Sequence, residues 1–241
     1  MKKSKLLNVS VDDVSPHPLS STEVLNQCFR VLDKFPDAKF TRFVPTAYWR
    51  TIGPTATAGP LDIAKFPTFC DKLRALPKSN FELCYHGHFH GIPSKSNNDE
   101  LQNIDADVAR HVIGSMVDMV FRAGLIDEFK GVLRPPAWRM ASAVFDAAEQ
   151  HGITTFALSP DEYAIKTYGD GHKGRNVVFY DCCPPMKPLE LSDMTEIVYH
   201  ACTWDVNSLT DERVDELMSF LSAHAGEYEF SFIEALAKRY K

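Results

Sequence analysis

Short apolar runs alternate with longer, helix-like stripes along this 241-residue chain. Seven runs are rich in apolar and β-branched residues and end at turn residues, so each predicts a β-strand. They cover residues 6–11, 39–44, 80–85, 131–133, 153–158, 176–180 and 196–199. Stretches with apolar residues three or four positions apart predict helices between several of the strands. These helices cover residues 24–35, 61–76, 101–124, 140–151 and 209–225. The glycine-rich residues 159–174 are predicted to be irregular.

Turn and loop signals mark where the first elements begin and end. Ser20 and Glu23 have the spacing of a capping box, which predicts that the first helix begins there. The long loop at residues 45–60 is rich in Pro, Gly and Thr and carries Tyr48 and Trp49. We therefore expect this loop to line a substrate groove and to contribute little to fold stability.

The alternation of strands and helices predicts an α/β fold whose parallel sheet closes into a barrel. In such barrels the side chains that carry chemistry lie at the carboxyl ends of the strands. An eight-stranded barrel and an open sheet are the alternatives. With 44% hydrophobic residues the chain can bury a sizeable core, so residues 1–241 are predicted to form a single domain.

Charge and cysteine content exclude several classes of protein. Lys and Arg number 26 and Asp and Glu number 32, which gives a net charge of −6 without a basic tract. A nucleic-acid or anionic-membrane partner is therefore disfavoured, and a small or neutral partner is expected.

The apolar run after the basic N-terminus is too short for a signal peptide or a membrane span, so a cytoplasmic protein is expected. Six cysteines without a C-x-x-C pair predict reduced, mostly buried thiols.

Two histidines and a pair of aspartates follow predicted strands. His86 and His90 come after the strand at residues 80–85, and Asp12-Asp13 comes after the first strand. A strand that runs into a turn can aim two imidazoles at one point, and neutral imidazoles with a carboxylate suit a divalent metal such as zinc. Cobalt, nickel, iron and manganese are alternatives. Singly, these residues are ordinary loop histidines and an acidic turn, but together they predict a metal site.

Four motifs resemble, in order and approximate spacing, those of the NodB-type polysaccharide deacetylases, which are metal-dependent carbohydrate esterases. The motifs are Asp12-Asp13, His86-x-x-x-His90, Arg134-Pro135-Pro136 and Val198-Tyr199-His200. No single motif is specific, but the four together extend over most of the chain. The resemblance implies an irregular seven-stranded (β/α) barrel, which is the fold we expect.

The resemblance also implies a role for each motif residue. Asp13, His86 and His90 would hold the metal, Asp12 would be the catalytic base and His200 the catalytic acid. The backbone N–H of Ala137 would help the metal to hold the oxyanion.

Amide hydrolysis needs a nucleophilic water, a stabiliser for the oxyanion and an acid for the departing amine. A metal ion can supply the first two by making water more acidic and by polarising the acyl oxygen. Asp12 would accept the proton from that water, and Arg134 could orient Asp12 and keep it ionised. Neighbours on a strand face opposite sides, so these roles require a turn at Asp12 and Asp13. The alternatives are a packed barrel histidine for His200 and an ordinary buried ion pair for Arg134.

The chain departs from the family pattern at several positions. Val11 stands where the family has an aromatic residue, and Gly87 where it has Ser or Thr. The family's fourth motif, an Asp that tunes the acid histidine, has no clear counterpart, and Asp161 and Asp181 are candidates. His88 is an extra imidazole that we expect to be exposed.

Three tryptophans are candidate substrate contacts, because large aromatic rings can stack on a sugar. They are Trp49, Trp138 and Trp204. Aromatic residues at barrel rims more often serve packing, which is the alternative for each of them.

The sequence thus predicts a divalent-metal-dependent hydrolase that removes N-acetyl or O-acetyl groups from a sugar or glycan precursor. Bacterial surface-polysaccharide synthesis, such as O-antigen or capsule, is a setting that the family resemblance alone suggests. One alternative is a cyclic-amidase-like metal hydrolase, because His86-x-His88 also looks like the histidine pair of that class. Another is a glycan-binding protein without turnover, which the missing fourth motif supports. The sequence predicts no oligomeric state.

Overall fold

Seven parallel strands form a nearly closed barrel in the structure, a computed structural model that describes residues 5–239. The barrel strands are β1 (Lys5–Asp12), β2 (Phe40–Val44), β5 (Phe81–Tyr85), β6 (Phe129–Leu133), β7 (Thr155–Leu158), β8 (Asn176–Phe179) and β9 (Met194–His200). The shorter strands are β3 (Ala47–Tyr48) and β4 (Leu61–Asp62), which pair with each other, and β10 (Tyr228–Phe230), which pairs with the start of β1. The helices are α1 (Val24–Lys34), α2 (Pro67–Arg74), α3 (Ala106–Arg122), α4 (Ala143–Glu149), α5 (Glu162–Tyr168), α6 (Asp211–Ala223) and α7 (Ile233–Arg239). All seven strands expected from the sequence are present, and the seven-stranded α/β barrel is confirmed.

The strand order around the barrel is β9-β1-β2-β5-β6-β7-β8, and neighbouring strands run parallel. Pairing along the whole of β9 places Asp12 of β1 directly beside His200. Asp181 and Cys182, which follow β8, bond to β9 and bridge the remaining gap. There the N–H groups of Asp181 and Cys182 both donate to the carbonyl oxygen of Glu196, at 3.0 and 3.1 Å. The carboxyl ends of the strands therefore meet at one rim.

The barrel interior changes from apolar to polar along the strands. Near the amino ends, one side chain from each of six strands forms an apolar layer, which Ile233 and Leu236 of α7 cover. The layer consists of Leu6, Phe43, Cys84, Val132, Ala157 and Val178. Side chains recur on one strand face every second residue. Further along the same faces, the buried residues are polar or charged, namely Ser10, Asp12, Arg134 and Glu196.

The outer faces of the strands pack against the helices and form the main hydrophobic core. The six cysteines are buried as free thiols, as the sequence predicts. No helix within residues 5–239 is both long enough and apolar enough to cross a bilayer.

Several predicted boundaries are wrong. The expected helix at residues 61–76 begins with β4, which pairs antiparallel with β3, and α2 starts only at Pro67. The stretch at 159–174 contains α5, and β10 and α7 follow the last predicted helix. Short elements of this kind carry too few residues for a periodic pattern to reveal them.

The predicted capping box is also wrong. Glu23 precedes α1, but its side chain caps no N–H of the helix. The hydroxyl of Ser20 instead donates to the carbonyl oxygen of Asp13 at 2.7 Å. Ser20 therefore fixes the turn after β1, a tertiary contact that sequence spacing does not show.

Glu82 gives the fold a pH-dependent stability, because it is a buried acid between the barrel wall and α7. Its Oε1 atom accepts from the Thr41 hydroxyl at 2.6 Å and from the N–H of Ile233 at 3.1 Å. Burial raises the pKa of Glu82 to about 7 from an ordinary 4.5, although these bonds partly oppose the rise. The folded protein then binds this proton more tightly than the unfolded chain, so stability falls as pH rises from about 4.5 to about 7.

We predict that Glu82→Gln removes this loss, because the amide oxygen can keep both bonds and cannot ionise. At pH 8 the variant should exceed the wild type by up to about 3 kcal/mol in free energy of unfolding, and at pH 4 the difference should be small. Urea unfolding at both pH values measures the effect. Glu190→Gln, at an exposed glutamate, is the control and should follow the wild type. Equal pH dependence in wild type and Glu82→Gln would contradict the assignment.

Candidate metal centre

The paired aspartates lie where β1 ends and the chain turns. Asp12 is the last residue of β1, and Asp13 has a left-handed backbone with φ of 64°. This break in the extended backbone allows neighbouring carboxylates to reach one site. The N–H of Ala201 donates to the carbonyl oxygen of Asp12 at 2.9 Å and fixes the turn against β9. The turn that the predicted roles require is therefore present.

His86 and His90 enter the site from the loop after β5 in a defined tautomer. The Nδ1 atom of His86 lies 2.8 Å from the carbonyl oxygen of Arg134, and Nδ1 of His90 lies 2.7 Å from that of Asn97. A carbonyl oxygen only accepts, so both Nδ1 atoms carry the proton of the neutral ring. Each Nε2 atom is left with a lone pair, as a metal ligand requires.

Glu100 holds the loop that carries these histidines. Its buried carboxylate accepts the N–H groups of His88 and Phe89 at 2.7 Å and that of His90 at 3.1 Å. The backbone is left-handed at Gly87 and at His90, with φ of 82° and 70°. A Cβ atom at Gly87 would lie 2.6 Å from the Glu100 carboxylate. Glycine is therefore required where the resembling family has Ser or Thr.

The carboxylate of Asp13 faces both histidines. Its Oδ1 atom lies 3.0 Å from Nε2 of His90 and 3.5 Å from Nε2 of His86. The three donor atoms lie within 4.8 Å of one another, and within residues 5–239 no hydrogen-bond donor other than these two rings reaches Oδ1. A buried carboxylate oxygen that faces two lone pairs is unfavourable without a cation. The three residues therefore fit a divalent metal ion.

Burial keeps the His86 ring neutral, and a neighbouring thiol occupies one oxygen of Asp13. Burial lowers the pKa of His86 to about 3, although the Asp13 carboxylate partly opposes this, so the ring is neutral at physiological pH. The thiol of Cys202 donates to Oδ2 of Asp13 at 3.2 Å. Burial raises the pKa of Cys202 well above its ordinary value, so the thiol keeps the proton that it donates. Oδ2 of Asp13 is thus occupied, which leaves Oδ1 for a metal.

Asp12 belongs to an ion-pair network beside this cluster. Its Oδ1 atom accepts from Nη1 of Arg134 at 2.6 Å, and Nη2 of Arg134 pairs with Glu196. The hydroxyl of Ser10 donates to Glu196 at 2.9 Å. Burial raises the pKa of Asp12, and the Arg134 charge opposes part of the rise. Arg134 therefore orients Asp12 and balances two buried carboxylates.

His200 faces Asp12 from the end of β9. Its Nε2 atom lies 4.0 Å from Oδ2 of Asp12, and its Nδ1 atom is bonded to Oδ1 of Asn207. The ring of Trp138 meets the imidazole edge-on, with centroids 5.9 Å apart. The structure thus brings Asp12, His200 and Arg134 into one cluster next to the candidate metal ligands.

Trp138, one of the predicted substrate contacts, lies beside His200, and Ala137 precedes it in the chain. Ala137 and Trp138 both have left-handed backbones, with φ of 50° and 57°. Two such residues in succession, neither a glycine, are a form of backbone strain that concentrates at functional sites. The indole of Trp138 packs on Tyr180 at 5.0 Å between centroids, and its Nε1 has no partner within residues 5–239.

The other two tryptophans pack against loop residues. Trp204 packs on His17 with centroids 5.1 Å apart, and the guanidinium of Arg50 lies 4.6 Å above its ring. Trp49 packs on Phe89 at 5.5 Å and is half-buried. Both therefore stand on the loops around the site and not within it.

The loop at residues 45–60 is partly structural, contrary to the prediction. Tyr48 is fully buried and its ring packs edge-on against His90, with centroids 5.3 Å apart. The N–H groups of Ala47 and Trp49 donate to the carbonyl oxygens of His88 and Phe89 at 2.8 and 3.0 Å. The start of this loop thus supports the histidine loop, and Tyr48 is unavailable to a substrate.

The structure also decides three points on which the sequence left alternatives. His88 is half-buried and not exposed, because its Nδ1 bonds to the Thr46 hydroxyl at 2.8 Å, and burial lowers its pKa to about 4. His90, and not His88, joins His86 in the cluster. Asp161 bonds to Tyr180 and Lys187, and Asp181 accepts the N–H of Glu196, so neither of them contacts His200.

Sequence reasoning missed four residues of the site. These are Glu100, Glu196, Asn207 and Cys202. The two-residue alternation along β9 could have revealed Glu196, because it shares the strand face of His200. The other three lie on loops whose course no periodic pattern specifies.

Comparison with known proteins supports the fold. No protein-family model and no curated protein sequence matches the chain. Among solved structures, a protein from Mycobacterium smegmatis that is provisionally named a polysaccharide deacetylase is similar, with a TM-score of 0.59 and 13% identity over 99% of this chain and 91% of that one. A 4-alpha-glucanotransferase from Thermococcus litoralis is similar over 99% of this chain and 41% of that chain, with a TM-score of 0.61 and 11% identity. The chain therefore has the barrel fold of these proteins, together with a candidate metal centre at its rim.

Proposed function

We propose that this protein is a divalent-metal-dependent hydrolase that removes an acetyl group from an N-acetylated sugar or glycan precursor. The observation that carries the proposal is the placement of two groups of residues at one barrel rim. Asp13, His86 and His90 form a three-ligand cluster, and Asp12 and His200 face each other beside it. Three protein ligands, rather than four, are typical of catalytic and not of structural metal sites.

A divalent ion at this cluster, for which zinc is best suited, would polarise the acyl oxygen and make a water molecule more acidic. Asp12 accepts the proton of the attacking water, because Arg134 occupies one of its oxygens and leaves Oδ2 facing the site. Its raised pKa makes Asp12 a better base than an exposed carboxylate.

His200 donates a proton from Nε2 to the departing amine. We assign the oxyanion to the N–H of Ala137, whose left-handed backbone turns the chain at the rim beside the site. Trp138 stacks on the sugar, and Trp49 and Trp204 extend the contact along the surrounding loops.

The substrate class rests on the shared fold with the deacetylase and on the amide chemistry that these residues fit. O-acetyl groups are a second acyl class for the same residues. Bacterial surface-polysaccharide synthesis, such as O-antigen or capsule, is the setting that we propose by analogy. A second candidate is a glycan-binding protein without turnover, which is favoured because Nδ1 of His200 bonds to the amide of Asn207 and not to a carboxylate.

The test is acetate release from N-acetyl and O-acetyl sugars, from monosaccharides to short oligomers, by chelator-treated protein and by protein reconstituted with a divalent metal. With N-acetyl sugars we expect acetate and free amine in equal amounts, with O-acetyl sugars we expect acetate alone, and in both cases only after reconstitution. Equal rates with and without metal would overturn the metal-dependent mechanism.

We predict that Trp49→Ala affects substrate binding and not stability, because Trp49 is half-buried and contacts Phe89 only at its edge. KM should rise about threefold to tenfold with kcat and melting temperature nearly unchanged. Tyr48→Ala is the contrasting variant, since it empties a fully buried site and should cost about 3 kcal/mol or more in stability. A large loss of stability in Trp49→Ala would instead place Trp49 in the core.

A further inference from the structure

We propose that Asn207 is the positioning residue of His200 and fixes the tautomer in which Nε2 faces Asp12. The inference rests on the proposed function, because it assigns a catalytic purpose to a contact that the four motifs do not contain. It also places a neutral amide where neither of the candidate aspartates, Asp161 and Asp181, is found.

The loop after β9 returns Asn207 to the side of His200. The N–H of His200 donates to the carbonyl oxygen of Asn207 at 3.1 Å, and the N–H of Leu209 donates to the carbonyl oxygen of His200 at 3.1 Å. The carboxylate of Asp205 accepts the N–H of Asn207 at 3.0 Å. Two backbone bonds therefore tie this loop to His200, and the bond to Asp205 fixes Asn207 within it. The side chain of Asn207 is fully buried.

The orientation of the Asn207 amide follows from its other partners. Its Nδ2 atom donates to the carbonyl oxygen of Val198 at 2.8 Å and to Sγ of Cys183 at 3.2 Å. A backbone carbonyl cannot donate, so the NH₂ group must point toward Val198. Oδ1 of Asn207 is then the atom that faces Nδ1 of His200.

An amide oxygen only accepts, so Nδ1 of His200 must carry a proton in the neutral ring as well as in the cation. Nε2 then gains and loses the exchangeable proton, and Nε2 is the atom that lies 4.0 Å from Asp12. A histidine in the other tautomer would keep its exchangeable proton on the side away from the substrate. Asn207 achieves this orientation without adding a third carboxylate near Asp12 and Glu196.

The first test reads the tautomer directly from ¹⁵N NMR shifts of the histidine rings, with His200→Gln used to identify the His200 signals. We expect the neutral His200 ring of the wild type to show a protonated Nδ1 and a bare Nε2. A protonated Nε2 in the neutral ring would overturn the proposal. The NMR measurement needs no substrate. It can therefore contradict this inference without contradicting the proposed deacetylase activity, and the reverse also holds.

The second test compares variants of Asn207. Asn207→Ala should lose the defined tautomer and lower kcat about tenfold or more with KM nearly unchanged. Asn207→Asp should restore the Nδ1–H tautomer and regain most of kcat, because a carboxylate oxygen also accepts this proton. Unchanged kcat in Asn207→Ala, or a protonated Nε2 in Asn207→Asp, would overturn the proposal.

Asn80→Ala is the matched control. The amide of Asn80 donates to the carbonyl oxygens of Pro36 and Ala38 at 2.7 and 3.0 Å, before the amino end of β5 and away from any histidine. It should lower the melting temperature and leave kcat unchanged. A fall in kcat for Asn80→Ala equal to that of Asn207→Ala would mean that loss of packing, and not positioning, explains the effect.

Discussion

Replacing Asp12 with Asn should lower kcat about a hundredfold or more while metal content stays at the wild-type level. The amide is nearly the same shape as the carboxylate. Its oxygen can still accept from Nη1 of Arg134, which lies 2.6 Å from Oδ1 of Asp12 in the wild type. Arg134 also keeps its pair with Glu196, so the buried guanidinium is not left without a counter-charge. The substitution therefore removes the proton acceptor and little else. His200→Ala should show the same signature, because His200 is not part of the metal cluster.

The measurement is steady-state kinetics with elemental analysis of the same protein samples. Asp105→Asn is the control, because it changes a carboxylate to an amide at the start of α3, where the side chain only caps the helix. Asparagine caps equally well, so this variant should match the wild type. Wild-type kcat in both Asp12→Asn and His200→Ala would contradict the roles assigned to these residues.

Replacing Asp13 with Ala should remove metal and activity together. Asp13 supplies the only carboxylate of the cluster, and its Oδ1 atom lies between the two bare imidazole nitrogens. Without it two neutral ligands remain, and the affinity for a divalent ion should fall about a hundredfold or more. Isothermal titration of chelator-treated protein with zinc measures the change without reference to activity.

His88→Ala is the matched control for metal binding, because His88 lies in the same loop but bonds to Thr46. Its affinity for metal should stay within a few-fold of the wild type. Equal affinity for zinc in Asp13→Ala and in the wild type would show that Asp13 is not a metal ligand. Loss of metal in His88→Ala but not in His90→Ala would favour the alternative histidine pair.

The strands of the barrel were predictable because each of the seven contains a short buried apolar run with clear turn signals at its ends. The candidate ligands were predictable for the same reason, since Asp13, His86 and His90 follow strands that end at one rim. The turn at Asp13 followed from the two-residue alternation of a strand, which cannot otherwise bring neighbouring carboxylates together.

The supporting residues were not predictable, because tertiary contacts decide them. Glu100 acts through three backbone N–H groups of a loop, and Asn207 returns to His200 only after a further loop. Ser20 looked like a helix cap but bonds to the carbonyl oxygen of Asp13. Polar residues in turns have several partners within reach, and only the folded chain selects one.

The most direct test of the central claim is acetate release measured as a function of metal occupancy. Chelator-treated protein is titrated with zinc, and the rate on an N-acetyl sugar is recorded at each measured occupancy. We predict a rate that rises in proportion to occupancy and levels off at one ion per chain, and that stays at zero throughout for Asp13→Ala. Full occupancy at one ion per chain without acetate release from any sugar tested would contradict the account and favour a glycan-binding protein.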